Sequence, residues 1–251
     1  MSALDVADLM ERLSRRLGGA GLERVEATLR AVAGEAPAPA PTAPLHEPTR
    51  LCFPGLRAAP WHDPASLPWA AAVQRETDAV RAELQALLQA EAAFYPYEDP
   101  YTLELGWRGW DTFVLYRKGR PHPANADRCP RTMAALAATP RAVRQGMFSR
   151  LRPGAHLAPH TGGVNVVLTC HLPLVVPEGC GLRVGGELRP WREGELAVFD
   201  DSFVHEAFNR GTADRLVLLW DIWHPDLAPV EIAALELLFP VFDRVMREMA
   251  A

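Results

Sequence analysis

The sequence predicts a mainly β domain, a double-sheet barrel or jelly roll with flanking helices, and three observations predict it. Between Met147 and Asp221 the hydrophobic pattern repeats every second residue in seven short stretches. Gly, Pro and Asp turns separate those stretches. Helical patterns are confined to the chain on either side, which suits an antiparallel double sheet rather than a parallel one.

Residues 3–33 read as two short helices. Leu4, Leu9, Leu13 and Leu17 stripe the first, and Leu22, Val25, Leu29 and Val32 the second, with Gly18-Gly19-Ala20-Gly21 breaking between them. Residues 35–48, EAPAPAPTAPLHEP, hold five prolines and predict an extended, semi-rigid linker. The expected division is a helical hairpin at 1–34, a Pro/Ala linker at 35–48 and a main domain at 49–251 with its barrel core at about 145–225. Residues 51–68 are loop-rich. Residues 69–94 predict one helix, rich in Ala and Glu, with Val73, Val80, Leu84, Leu87 and Leu88 on one side. Residues 95–140 are mixed, with a strand at Asp111–Tyr116. The seven strands are expected at Met147–Leu151, Asn165–Leu174, Leu182–Val184, Glu187–Arg189, Leu196–Phe199, Glu206–Asn209 and Leu216–Asp221. Val184-Gly185-Gly186-Glu187 has the form of a two-residue hairpin turn. Residues 230–249 predict an amphipathic helix packed on the sheet.

Composition narrows the function. The chain of 251 residues carries a net charge of −5 and a pI near 5.9, which argues against a general nucleic-acid partner. No stretch approaches the roughly 18 apolar residues of a membrane span. Acids and arginines interrupt the N-terminal MSALDVADLMERLSRR, so no secretory signal is expected and the cytoplasm is the default location. The four cysteines form no C-x-x-C pair and read as free thiols, with a Cys170–Cys180 bridge left open. Lys118 is the only lysine. Nine basic residues and one acid fall between Arg117 and Arg152, a window of +8 that is either a solvated face or a docking face for an anion.

Of eight histidines, His160 and His205 stand at strand ends, 45 residues apart. A double-sheet barrel can carry the chain across and back over that distance, so the two imidazoles can meet. Two imidazoles with open positions suit iron(II), whose usual third ligand is a carboxylate. The expected carboxylate position, two residues after His160, is Gly162. A histidine satisfied within its own turn fits the spacing equally. Period-two geometry puts Arg215, Val217 and Leu219 on one strand face. If that face is interior, the arginine requires an anion; otherwise it reaches solvent at the strand end. His171 shares a face with Val167 and Thr169, either donating to a ligand or packed as a core histidine.

Several ordered motifs together resemble one family. They are PGLRAAPW at 54–61, FSRLRPGAHLAPHTG at 148–162, PEGC at 177–180, WREG at 191–194, FDDSFVHE at 199–206 and DIWHP at 221–225. This set is similar to the aspartyl/asparaginyl β-hydroxylases, iron(II)/2-oxoglutarate-dependent oxygenases, over about residues 53–228. The resemblance implies a double-stranded β-helix, a cupin-like jelly roll with helices packed on one side. It implies iron(II) held by His160 and His205 alone, with Gly162 in the carboxylate position. It also implies that Ser149 and Arg215 hold the far carboxylate of 2-oxoglutarate, and that His171 contacts the end that chelates iron. Dioxygen is the third reactant, and succinate and CO2 are the co-products. Asp200, Asp201 and Glu206 flank His205 and are candidates to orient it, as they are for turn or surface roles.

The departures bear on the substrate. The family's aspartyl hydroxylases have an arginine where this chain has Thr169 and a lysine where it has Met147, and a further substrate arginine is absent near Leu105. The expected activity is hydroxylation of an unactivated C–H in an anionic peptide, amino-acid or carrier-bound substrate. The alternatives are hydroxylation of a lipid acyl chain, halogenation at the glycine-vacated position, and a non-catalytic barrel that binds an anion.

Overall fold

The computed structural model describes residues 4–97 and 107–250; Leu105 lies outside them. Its strands are β1 (Trp61–His62), β2 (Tyr95–Pro96), β3 (Trp110–Arg117), β4 (Arg120–Pro121), β5 (Arg141–Leu151) and β6 (His156–His160). They continue with β7 (Val167–Val175), β8 (Cys180–Val184), β9 (Glu187–Arg189), β10 (Ala197–Phe199), β11 (His205–Asn209) and β12 (Arg215–Trp223). The large sheet runs β1-β10-β7-β12-β5-β3-β2, with β4 beside β3, and the small sheet runs β6-β11-β8-β9. All pairings within the sheets are antiparallel. From β5 to β12 the chain passes back and forth between the sheets, which is the double-stranded β-helix.

Alternation on the central strands decides what faces where. Leu216, Leu218, Trp220 and Ile222 of β12, with Leu168, Cys170 and Leu172 of β7, turn outward into one apolar layer. Helices Ala70–Arg75 and Thr77–Gln89 cover that layer through Val73, Val80, Leu84 and Leu87. Full burial of each such side chain is worth about 1.5–3 kcal/mol. The intervening residues Val217 and Leu219 turn inward, where they meet Met147 of β5. Between the sheets, Leu157, Leu182, Val184, Phe199, Phe203 and Ala207 close the barrel's narrow end.

The N-terminal helices, Val6–Leu17 and Glu23–Val32, pack with the last helix, Pro229–Ala250, and with Val166, Val167 and Trp223 at the end of the large sheet. Arg24 reinforces this contact through an ion pair to Glu231 at 2.5 Å. The last helix exceeds the expected 230–249 by one residue at each end.

Two expectations need correction. The single helix at 69–94 is two helices, because the chain breaks at Glu76, where the Thr77 hydroxyl donates back to the Gln74 carbonyl at 2.6 Å. The basic window is not a uniformly charged face. Arg131 pairs with Glu76, Arg150 and Arg152 both bond Asp111, and Arg144 pairs with Asp201 and Asp221. Acids from outside the window answer those cations. β6 was not expected, since HLAPH holds one large apolar residue and a proline; it forms as an edge strand with β11 as its one neighbour. The two-residue turn forms as read: Val184 pairs Glu187, with Gly185 at φ 57° and Gly186 at φ 86°. All four cysteines are free.

His62 of β1 is buried and meets the His224 ring edge-on at 5.4 Å. Burial first, then the neighbouring His224, lowers its pKa from 6.5 to about 4. The unfolded chain therefore binds a proton here that the folded chain refuses, and this contribution to stability falls as pH drops from about 6.5 to about 4. Relative to His62→Gln, the parent is expected to lose up to about 3 kcal/mol over that interval. Urea unfolding of both proteins at pH 7 and pH 4.5 checks it; parallel pH profiles would refute it.

Candidate active site

The interior face of the barrel opens into a solvent-connected cleft lined by His160, His171, His205 and Arg215. Antiparallel register sets its first feature: His205 at the start of β11 pairs directly with His160 at the end of β6. The two rings lie with centroids 4.0 Å apart. Nδ1 of His160 donates to the Ala158 carbonyl at 2.8 Å, and Nδ1 of His205 to the Phe203 carbonyl at 2.9 Å. A carbonyl accepts only from N–H, so each ring keeps its lone pair on Nε2. Burial and the neighbouring His205 lower His160 to about 3, and burial lowers His205 to about 4. Both rings are thus neutral at pH 7, the state that binds a metal. Trp107 covers His160 with its ring centroid 4.3 Å away.

Deeper in the cleft, Arg215 is 2% exposed. Its Nη1 lies 3.5 Å from Ser149 Oγ, its guanidinium carbon 4.6 Å over the Trp191 ring, and its Nε is buried without a partner. Among the described residues it has no ion pair. Burial lowers its pKa only to about 10, so it remains a cation. Ser149 accepts from Trp110 Nε1 at 2.9 Å, which leaves the hydroxyl proton free to donate beside the arginine. His171 accepts from Trp191 Nε1 on its Nδ1 at 3.1 Å, so its own proton is on Nε2. Burial, Arg215 and His205 hold His171 well below the usual histidine range.

The residues fit the cofactors that the resemblance implies. Two neutral imidazoles with free Nε2 lone pairs form a ligand pair for a divalent metal. A buried, unpaired guanidinium beside a hydroxyl donor calls for an anion, and a carboxylate fits its planar fork. Among the described residues, no group of three or more His, Cys, Asp or Glu is arranged to hold a metal. A metal here would therefore take two protein nitrogens.

Of the residues flanking His205, only Asp201 faces the cleft. Asp200 accepts from the Ser202 backbone N–H and hydroxyl and holds the turn. Glu206 turns outward to His156 and Arg183. A Cβ on Gly162 would collide with the Asp201 carboxylate, so that carboxylate occupies the space a side chain at 162 would need. Arg144, which sequence reasoning left inside the basic window, reaches Asp201 at 3.8 Å and Asp221 at 3.5 Å. Thr169 donates to the same Asp221 at 3.4 Å. A cation thus approaches the Thr169 position from β5 rather than from β7. The 147 position presents only the buried Met147 against Val217 and Leu219.

Fold and cleft define a double-stranded β-helix protein with a paired-histidine site and a deep anion-seeking arginine. The chain belongs to the aspartyl/asparaginyl β-hydroxylase family, whose model matches residues 74–225. It is 37% identical over 184 residues to mouse aspartyl/asparaginyl β-hydroxylase, covering 70% of this chain and 24% of that one. It is 34% identical to human aspartate β-hydroxylase domain-containing protein 2, covering 67% and 50%. It is 35% identical to the ornithine lipid ester-linked acyl 2-hydroxylase of Rhizobium tropici, covering 73% and 67%. The chain thus spans about a quarter of the mouse protein's length. Similar solved structures include HygX from Streptomyces hygroscopicus with nickel and 2-oxoglutarate bound (14% identity, TM-score 0.40, 62% of this chain and 80% of that one). A Pseudomonas putida prolyl-4-hydroxylase is also similar (19% identity, TM-score 0.39, 61% and 98%).

Two substitutions probe this geometry. Arg215→Met is expected to keep or raise the thermal midpoint without ligand, since it removes an unpaired buried charge. If 2-oxoglutarate is the anion that answers Arg215, a hundredfold excess over Kd stabilises the parent by about 2.7 kcal/mol and the variant by far less; a thermal titration that shifts both proteins alike refutes that pairing. Gly162→Ala is expected to displace Asp201 and cost about 1–3 kcal/mol. Urea denaturation reads that loss, and an unchanged midpoint would mean the carboxylate yields freely.

Proposed function

We propose that this chain is an iron(II)/2-oxoglutarate-dependent hydroxylase that converts an unactivated substrate C–H to C–OH. One observation carries the reading: an opposed, neutral histidine pair and a buried unpaired arginine line the same cleft. When bound, iron(II), 2-oxoglutarate and dioxygen supply the oxidising equivalent, with succinate and CO2 as co-products.

The chain's own residues bind, orient and shield. His160 and His205 present Nε2 to the metal, each locked by its Nδ1 hydrogen bond to a backbone carbonyl. Arg215 and Ser149 grip the far carboxylate of the cosubstrate, a charge-assisted contact worth about 1.5–3 kcal/mol. His171 donates from Nε2 toward the end nearer the histidine pair. Trp107 and Trp191 exclude water from the two ends. Asp201, held by Arg144, stands beside His160 and would supply a hydrogen-bond acceptor next to the metal position.

The substrate is an anionic peptide, amino acid or carrier-bound molecule, or the acyl chain of a lipid. Met147 in place of a cation of the aspartyl hydroxylases favours the acyl reading, while Arg144 supplies a cation near Thr169. Halogenation is disfavoured, because the Asp201 carboxylate fills the space beside Gly162 and repels a halide.

His160→Ala and His205→Ala are each expected to abolish succinate formation from 2-oxoglutarate. An anaerobic iron(II)/2-oxoglutarate titration should give a weak visible charge-transfer band in the parent and none in either variant. Succinate release that survives both substitutions would sink the proposal.

A further inference from the structure

The cleft that holds the histidine pair continues past the barrel. At Arg50, Arg144 and Gly163 it meets a second cleft. Val32 ends one of the N-terminal helices and forms part of its wall. Leu51 and Val164, joined by a parallel bridge, form another part, and Phe239 and Phe242 of the last helix complete it. Val32, Arg50, Leu51, Phe239 and Phe242 all lie outside the family-matched residues 74–225.

Arg50 stands at the junction. Its backbone N–H and that of Leu51 both donate to the Gly163 carbonyl, at 2.8 and 2.9 Å. A Cβ on Gly163 would lie 2.8 Å from Arg50 Cδ, so the glycine lets the arginine stem lie flat on the backbone. The Arg50 side chain is exposed, with no hydrogen bond or ion pair to any described residue. Arg144 beside it is engaged with Asp201 and Asp221. The junction therefore offers a guanidinium with open donors on a stem packed against Gly163, between a polar cleft and an apolar one.

We propose that the segments flanking the family-matched region build a substrate subsite for the acyl tail of an anionic amphiphile. Its carboxylate or phosphate sits on Arg50, and its chain lies among Val32, Phe239 and Phe242. Hydroxylation at the other end rests on the function proposed above; the binding itself does not. A peptide would bring an amide N–H and C=O per residue against walls that, the arginines apart, offer no polar side chain. A hydrocarbon chain needs none and gains about fourfold in affinity per buried methylene. The histidines share a cleft with Arg50, while the phenylalanines lie in the cleft beyond it. Carbons next to the anion are thus nearer the histidine pair than the terminal methyl is, so oxidation falls near the polar end.

Binding of decanoate, decyl phosphate and decanol to the metal-free full chain tests this by calorimetry. Both anions are expected to bind about tenfold tighter than decanol. Arg50→Gln should bring them to the level of decanol, and Phe239→Asp should weaken all three. Whichever anion loses more in Arg50→Gln identifies the headgroup, carboxylate or phosphate. Should Phe239→Asp fail to fold, a decanoate analogue with a photoreactive chain end should label Val32, Phe239 or Phe242 in the parent. Unchanged anion affinity in Arg50→Gln, labelling confined to the neighbourhood of Trp107, or displacement of decanoate by an acidic hexapeptide would each overturn the inference. A parent that binds iron(II) and 2-oxoglutarate but no decanoate overturns this inference alone. A parent that binds decanoate but no iron(II) supports it and overturns the hydroxylase reading instead.

Discussion

Because β11 pairs with β6 in a register that sets His205 opposite His160, two rings far apart in sequence share one point in space. A slip of one residue would send both side chains to the other face of the small sheet. The register is held from both sides. On one side β11 pairs with β8 through five consecutive residues, from His205↔Val184 to Asn209↔Cys180. On the other, a bulge between His205 and Ala207 resets the pairing with β6 so that the ring positions coincide at the strand ends. The two-residue turn at Gly185-Gly186 ties β8 to β9 and braces the sheet that carries the pair.

The same alternation places charge where water does not reach. Arg215 begins β12 on the inward face, and Leu216, Leu218 and Trp220 turn outward into the helical layer. A buried cation without an anion is costly. The chain tolerates it with a hydroxyl at 3.5 Å and an indole face at 4.6 Å, neither of which neutralises it. That deficit favours an anion in the cleft. Toward the other end of β12 the pattern reverses: buried Asp221, with Asp201 beside it, is served by Arg144, and burial raises both carboxyls above their usual range. One end of the cleft therefore holds a cation without an anion, and the other holds two carboxyls around a single arginine.

The period-two pattern made seven of the core strands legible, and the strand ends carrying His160 and His205 were readable as turn-flanked positions. β6 was not, because an edge strand needs neither alternation nor a proline-free run. The break at Glu76 was hidden because its cause is one hydroxyl bonding backward, in a stretch whose composition favours helix throughout. The basic window misled for a different reason. Linear charge counting omits acids from distant elements, and Glu76, Asp111, Asp201 and Asp221 answer its arginines only after folding. Arg144 and Arg50 were missed as site residues on the same ground, since nothing in their immediate sequence separates a cleft arginine from a surface one.

The histidine-pair cleft and the outer cleft are built from separate parts of this chain. The histidine pair, Arg215, Ser149 and His171 all lie on β5 to β12, inside the family-matched residues 74–225. Their positions are constrained by sheet register, so each is difficult to move without moving the others. The second cleft is bounded instead by Val32, Leu51 and Phe239, which belong to helices and a bridge packed against the end of the sheet. Side chains there can change length without disturbing any strand pairing. Arg50 is the joint between the two regimes: its backbone is tied to Gly163, one residue from Gly162 at the histidine pair, and its head is open to whatever the outer cleft admits. The inner cleft is thus set by strand register and the outer one by helix packing, and Arg50 is tied to both.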